Sequence, residues 1–488
     1  MSKSKIEKQV PNKELIIFLM STFFFTNMQG MVGNYRQAYL VNVLKLESSS
    51  VSLINVLCSV TCFALSFFYT MVIDRAPKPG KSKFRPLVAV AAVPAAVLTV
   101  FMFVTPQMPK AMTIAYLVTV GVLHAAAMHF TGTINNIGVV MTQNNKERDK
   151  ILSLRGIFNA IANSAPLVVV LVLKATKLIN TEEFLYIISA ALCAVVALVS
   201  MLFGVSIVRE RVAYSSKKEN PLLGFWDIVH NPYALLVLSS EFLKNFRCIA
   251  SYMGIFLAAA LLGDTSKYIF FGLPTGIGTF VGMMIVSALL KKFNSKQIYI
   301  ASGCYSVLAN TGAFFAGLNS FKHPDQAFSQ VLFFVCLFLI GLQFGASNLL
   351  PSMFQADILE DLEVKTHKRL DASLAFVIGI GSTLSGIIGN AFAPMILYGN
   401  KSFIQYLPPV DEIVNGVKKA IYLDQPYDTK VRLLLVYTVF HGVMMLLAGL
   451  PFLFYRLTGK RKEEIHKAAI AYRESLTTPQ ELTVEEAN

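Results

Sequence analysis

The chain has 488 residues, of which 55% are hydrophobic and only 15% charged, and it carries a formal net charge of +14. Soluble domains carry about 25% charged residues, so this composition excludes a soluble globular protein. The basic residues are spread over many short segments with no single dense cluster, which argues against a nucleic-acid surface and points to loops sorted across a membrane.

Twelve apolar stretches follow one another, each near the roughly 20 residues a helix needs to cross about 30 Å of hydrocarbon. The N-terminal tail, residues 1–14, is basic and runs into a first helix (Leu15–Val43) with no small-residue cleavage site, so it reads as a retained tail. Helix 2 covers Val51–Ile73, and the loop from Asp74 to Arg85 is basic and broken by Pro and Gly. Helix 3 begins near Pro86. Helix 4 covers Ala111–Met141 and is followed by the basic QNNKERDKILSLR. Helices 5 and 6 are predicted over Gly156–Leu173 and Glu183–Val208, and the polar segment 208–231 separates the two halves. Helix 7 opens with Asn231 as N-cap and Pro232 in the first turn and stops before Gly263. Helices 8 to 12 follow near Tyr268–Leu290, Ile298–Leu318, Phe328–Met353, Leu370–Leu397 and Val431–Tyr455. The segment 398–430 is long for such a loop. It reads either as a cap over the pathway or, with more weight, as an ordinary solvated insertion. Within the tail 458–488, RKEEIHKAAIAYRE has the pattern of a short amphipathic helix.

Most of the 43 Lys and Arg fall on the N-tail, on the loops after helices 2, 4, 6, 8 and 10, and on the C-tail. By the positive-inside rule both termini are cytoplasmic, and the chain is expected in the plasma membrane as a multi-pass protein. The fold class is therefore all-α integral membrane: twelve transmembrane helices in two six-helix bundles, 15–207 and 232–457, around a midplane site. The six cysteines lie inside apolar runs as small buried hydrophobes, and no spacing suggests a metal or a disulfide framework. No nucleophile with a base and no phosphate-cradling loop is present, so neither an enzyme nor a cofactor is expected. GIGIGSTLSGIIG on helix 11 has no strand before it and reads as a helix-packing surface.

Several loops carry a resemblance. Asp74-Arg75 followed by GKSKFRP, then KERDK (Lys146 to Lys150), PSMFQADILEDLEVKTHKR (Pro351 to Arg369) and the RLTGKRKEEIHK tail together resemble the glycoside–pentoside–hexuronide:cation symporters, melibiose-permease-like members of the major facilitator superfamily. The resemblance implies a transporter of twelve helices. It also shows departures: sodium-coupled members use carboxylates on helices 2 and 4, where this chain has Cys62, Ser66 and Thr131. Thr26 and Asn27 stand where a sugar-binding acid occurs on helix 1, and Ser382 and Thr383 where a lysine can occur on helix 11. Arg155 aligns with the family's helix 5 arginine. The resemblance thus implies the scaffold, but neither the sodium site nor the galactoside site.

Charge at membrane depth costs at least about 2.5–3.5 kcal/mol on insertion scales, so it should face a cavity or a partner. Helix 7 carries Glu241, Lys244 and Arg247, spaced by three, with Arg247 about 22 Å in from Pro232. One acid neutralises one base and leaves a surplus positive charge. Helix 1 adds Arg36, with Asn27 and Gln29 nearby. Arg36, Lys244 and Arg247 form a candidate site for an anion, since guanidinium suits a carboxylate or phosphate; the competing readings are a static salt bridge or snorkelling. Glu241 is the candidate proton-coupling group, or simply the partner of Lys244. His129 and Asn135 on helix 4, which lines the cavity in the related family, and Arg155 complete the substrate-binding set; for Asn and His, helix packing is the competing role. Asp74, Arg75, Arg85, Arg148, Asp149, Asp357 and Arg369 are expected to form ion pairs of a cytoplasmic gate.

The sequence thus points to a monomeric secondary transporter in the lipid bilayer, moving a small polar, anionic sugar-like or organic-acid solute by alternating access, with proton coupling through Glu241. An uncoupled facilitator, a carrier of a lipid-like anion, and a non-transporting sensor or scaffold are the alternatives.

Overall fold

The computed structural model describes residues 9–73, 82–142, 144–177, 179, 181–211, 225–323, 326–366, 371–414 and 417–485. The protein is an all-α membrane protein. Among the described residues, eleven helices are long and apolar enough to span a bilayer. The ninth, Ser295–Lys322, is 28 residues long but rich in Ser, Asn, Gly and Tyr.

Helix 1 (Asn12–Ala38) ends in a π turn over Tyr39–Val43, and helix 2 is Ser48–Ile73. Helix 3 is Phe84–Phe101, helix 5 Asn145–Ala175 and helix 6 Glu182–Ile207. Helix 5 begins eleven residues before the expected Gly156, because helix-forming Lys, Glu and Arg carry it back to Asn145. Helix 4 is broken, Lys110–Thr131 then Ile134–Val140. At the break Gly132 and Thr133 weaken the helix, and the Thr133 hydroxyl donates to the Phe130 carbonyl at 2.7 Å. Helix 7 is broken as well, Pro232–Asn245 then Arg247–Leu262, with Phe246 in the turn.

Helices 8 and 11 are Ile269–Leu289 and Asp371–Leu397. Helix 10 runs from Ala327 to Thr366, past the expected end at Met353. Apolarity stops near Met353, but QADILEDLEVK is made of helix formers, and the Asp361–Lys365 pair at 2.6 Å supports the added turns. Helix 12 is assembled from Tyr427–Leu435, a π turn Val436–Phe440 and His441–Gly449. A tail helix, Lys460–Glu485, follows.

The chain divides into two compact units, one of residues 1–217, 251–276 and 390–433, the other of 218–250, 277–389 and 434–488. In the first unit helix 1 is central, packed on helices 5 and 6 around Phe18, Phe25, Met28, Ala197 and Met201. Gly30 meets the Asn163 backbone oxygen at a distance where a Cβ would be 2.9 Å away, so only glycine allows this approach. At the tail end, the Arg211 guanidinium holds Glu14 by two bonds, at 2.6 and 2.8 Å. Those bonds hold the Arg211 guanidinium above its usual range, against the opposing effect of partial burial. Glu210 accepts the backbone N–H groups of Lys83, Phe84 and Arg85 at 2.8–3.0 Å, so it caps helix 3 from a distance in sequence.

The segment 398–430 is folded, which differs from the favoured expectation of a solvated insertion. Strands β1 (Val410–Val414) and β2 (Val417–Ile421) pair antiparallel, Val410 opposite Ile421. Buried Gln425 ties the base of this hairpin, exchanging bonds with the Leu407 backbone at 2.8 and 2.9 Å. Tyr406, Ile404 and Thr429 are buried with it. Apolar side chains and a bidentate amide make this segment worth ordering, which pattern reading of a polar stretch does not reveal.

In the second unit Phe354, Phe452, Tyr299 and Tyr455 form an aromatic core, with Phe354 and Phe452 centroids 4.2 Å apart. Helices 8 and 10 touch backbone to backbone where Gly278, Gly282 and Gly345 leave room. Asn231 caps helix 7, accepting from Tyr233 and Ala234 N–H, and donates its amide to Asp361 at 3.1 Å. The tail helix is fixed to helix 10 through Lys462–Asp357 at 2.7 Å and His466–Glu360 at 3.0 Å.

Candidate functional site

The charged trio lies at the break in helix 7. Interrupted helices expose backbone groups at membrane depth, and substrate sites use them. Lys244 Nζ is 2.5 Å from Glu241 Oε1, so the acid is committed to that lysine. Among the described residues Arg247 enters no ion pair. Its guanidinium instead lies 5.0 Å over the Phe344 ring. Phe344 in turn contacts the His441 ring at 5.1 Å, and among the described residues the buried His441 Nε2 has no hydrogen-bond partner. Between Lys244 and Arg247, Asn245 donates to the Ser382 carbonyl on helix 11 at 2.6 Å and pins the broken helix. The surplus cation expected from the spacing is therefore Arg247, held half-buried by aromatic neighbours.

In the first unit the break in helix 4 gathers a second polar group. Arg155 donates to the Asn135 carbonyl, and Asn159 reaches the Asn135 side-chain oxygen at 3.5 Å. His129, just before the break, lies against Tyr69 with centroids 5.2 Å apart. Asn27 is buried, whereas Gln29 is exposed on another face of helix 1. Arg36 is set apart from Arg155. It is buried and donates to the Met102 carbonyl at the C-terminus of helix 3, where the negative end of the helix dipole receives it. Asn34 bonds to Asn163, eight residues and about 12 Å along helix 5 from Arg155.

Of the expected gate, Asp74, Arg75 and Arg369 lie outside the described residues, as does the side chain of Asp149. Arg85 bonds the last carbonyls of helix 6, with its Nε 2.7 Å from Val205 O. Arg148 lies in the first turn of helix 5. Asp357 is bound by Lys462 of the tail helix, a partner the loop-centred expectation did not include. Sequence reading also passed over Glu14, Glu147, Glu210 and Glu182. Each stands at or just outside the edge of an apolar run, so apolarity alone marks it as solvated. Glu147, for instance, accepts the backbone N–H groups of Gln9 and Val10 at 3.2 and 3.1 Å.

Comparison with known proteins supports this architecture. A curated relative, the "Uncharacterized symporter YjmB" of Bacillus subtilis (strain 168), is 23% identical over 362 residues, covering 69% of this chain and 76% of that protein. Among solved structures, the nucleoside transporter NupG is similar with a TM-score of 0.62 and 15% identity, covering 91% of this chain and 100% of that one. The xylose transporter XylE from E. coli, in an inward open conformation, is similar with a TM-score of 0.62 and 12% identity over 93% of this chain and 99% of that one. These likenesses show that the chain shares the fold of those two proteins. The family model described as MFS/sugar transport protein matches residues 17–459, and the chain belongs to that family.

Proposed function

We propose that this member of the sugar-transporter family is a secondary active transporter of a small anionic solute, a sugar acid or related organic acid, working by alternating access. One observation carries the anionic class: among the described residues Arg247 is a half-buried cation in no ion pair at the break in helix 7, while the nearby acid Glu241 is bound by Lys244. A carboxylate on the solute would supply the missing counter-charge in the fork geometry guanidinium favours. Within the same unit, Lys244 is the further polar group this reading assigns to the solute. The name of the relative in B. subtilis, a symporter, favours coupled over uncoupled transport.

In this reading the basic loops and both termini face the cytoplasm, the hairpin of 398–430 faces outward, and residues 15–207 and 232–457 are the two lobes that rock. Arg85 and Asp357 serve the cytoplasmic closure. Binding to purified protein, screened with uronates against the matching neutral sugars, tests the class. The expectation is uronate binding that Arg247→Ala reduces at least about 30-fold, on the order of 2 kcal/mol for a charge-assisted bond, with Arg247→Lys between. Equal binding of a uronate by Arg247→Ala and parent, with both monodisperse, would remove Arg247 from the site.

A further inference from the structure

Glu182, the first residue of helix 6, is 9% exposed, and among the described residues its Oε2 has no hydrogen-bond partner. Its Oε1 accepts the hydroxyl of Tyr422, which follows directly on β2 at the base of the hairpin. Tyr422 also meets Thr265 Oγ1 at 3.0 Å, and Thr265 meets the Tyr186 hydroxyl at 3.0 Å. Lys174 Nζ is 3.8 Å from Glu182 but is bound more closely by Asp264. A second pair, Lys45–Asp411 at 2.5 Å, joins β1 to the end of helix 1. Asp264 and Asp411 both act electrostatically on Glu182, as do the hydroxyls of Tyr186, Tyr406 and Tyr422. All these residues belong to one unit.

The ion pairs here hold three carboxylates and two ammonium groups. Lys174 serves Asp264 and Lys45 serves Asp411, which among the described residues leaves the deepest of these acids, Glu182, without a full counter-charge. A buried carboxylate with one oxygen unbonded is far costlier than a neutral carboxyl in the same place. The positive end of helix 6 offsets part of that cost, but a first-turn dipole is weak beside the removal of a charge from water. Burial and the neighbouring Glu182 push the Tyr422 phenol well above its usual range, so Tyr422 stays a donor throughout. Among the described residues, the buried hydroxyls of Tyr35 and Tyr252 also lack hydrogen-bond partners. Unmet bonds suit a contact that opens and rehydrates.

We infer that Glu182 is a protonation site that latches the hairpin end: neutral while Tyr422 and the Asp264–Thr265 turn cover it, and ionised, its proton passed to bulk water, when that end opens. This deepens the transport reading, since it assumes that the hairpin end opens during the cycle, and it does not depend on Glu241 or on the nature of the solute. The closed form then holds a proton the open form lacks, so it is favoured at low pH. Its advantage falls by up to about tenfold for each unit of pH through the window where only the closed form is protonated.

Ser52 reports the opening without any solute. It is 8% exposed, and its hydroxyl donates to the Ala391 carbonyl of helix 11 at 2.5 Å. With the six native cysteines replaced, Ser52→Cys is labelled with a polar maleimide in detergent, and its rate is divided by that of Gln107→Cys in the exposed loop after helix 3. The normalised rate is expected to rise at least about tenfold from pH 5.5 to 7.5, the response of one linked proton. Glu182→Gln should label slowly and equally at both pH values, while Asp264→Asn keeps a pH response. Tyr422→Phe, which leaves Glu182 in place, should label several-fold faster than parent at pH 5.5. A flat parent profile, an unaltered profile in Glu182→Gln, loss of the response in Asp264→Asn instead, or an unchanged rate in Tyr422→Phe would overturn the assignment. Because no solute enters the measurement, failure of the uronate reading at Arg247 leaves these outcomes readable, and the reverse also holds.

Discussion

At the scale of single residues, buried charge in this protein is managed in three ways. Arg36 spends its charge on the carbonyl end of helix 3, Lys244 on Glu241, and Arg247 on an aromatic face that leaves its positive charge unneutralised. The three look alike in the sequence, and the proposed anion site rests on the last of them. Asn231 shows a different economy: one amide both caps helix 7 and bonds buried Asp361. Asn231→Ala should therefore cost about 2 kcal/mol or more, a cap plus a bond to a charged group. Thermal unfolding in detergent reads this, and Asn231→Asp should fare no better, since it keeps the cap but sets two carboxylates together. A midpoint for Asn231→Ala equal to parent would mean that the Asp361 contact carries no weight.

At the scale of elements, glycine placement decides how closely helices meet. A Cβ at Gly345 would overlap the backbone of Gly282, whereas one at Gly379 on helix 11 meets nothing within 4 Å. Gly345→Ala is expected to destabilise the protein by about 1–3 kcal/mol through overpacking. Gly379→Ala should be neutral or stabilising by up to about 1 kcal/mol, the helix propensity difference. The two compared by thermal unfolding separate close packing from propensity, and similar midpoints would refute the seam between helices 8 and 10. The breaks in helices 4 and 7 belong to the same scale. Gly132, Thr133 and Phe246 interrupt hydrogen-bonding where the polar side chains gather, at Asn135 and at Arg247.

At the scale of the whole molecule, the proposed transport cycle makes one demand on Glu241. If it carries the coupled proton, Glu241→Gln in reconstituted vesicles should keep solute exchange but lose accumulation driven by a pH gradient. Accumulation at the parental level would assign Glu241 to holding Lys244 and shift the search for the coupling proton to other acids. Exchange and accumulation together also distinguish a coupled carrier from an uncoupled facilitator.

The twelve helices, their order and the presence of a surplus cation on helix 7 were legible in the sequence. Apolar length measures the bilayer directly, and a charge inside an apolar run is conspicuous wherever it packs. The helix ends at Thr366 and Asn145 were not, because polar residues extend a helix past the point where apolarity stops. Nor was the folded hairpin, whose order depends on Gln425, Tyr406 and Tyr422 meeting groups distant in the chain. Tertiary structure alone decided which cation of helix 7 pairs with Glu241 and which glutamates are buried. Both depend on what lies beside a side chain in space, and local sequence does not carry that information.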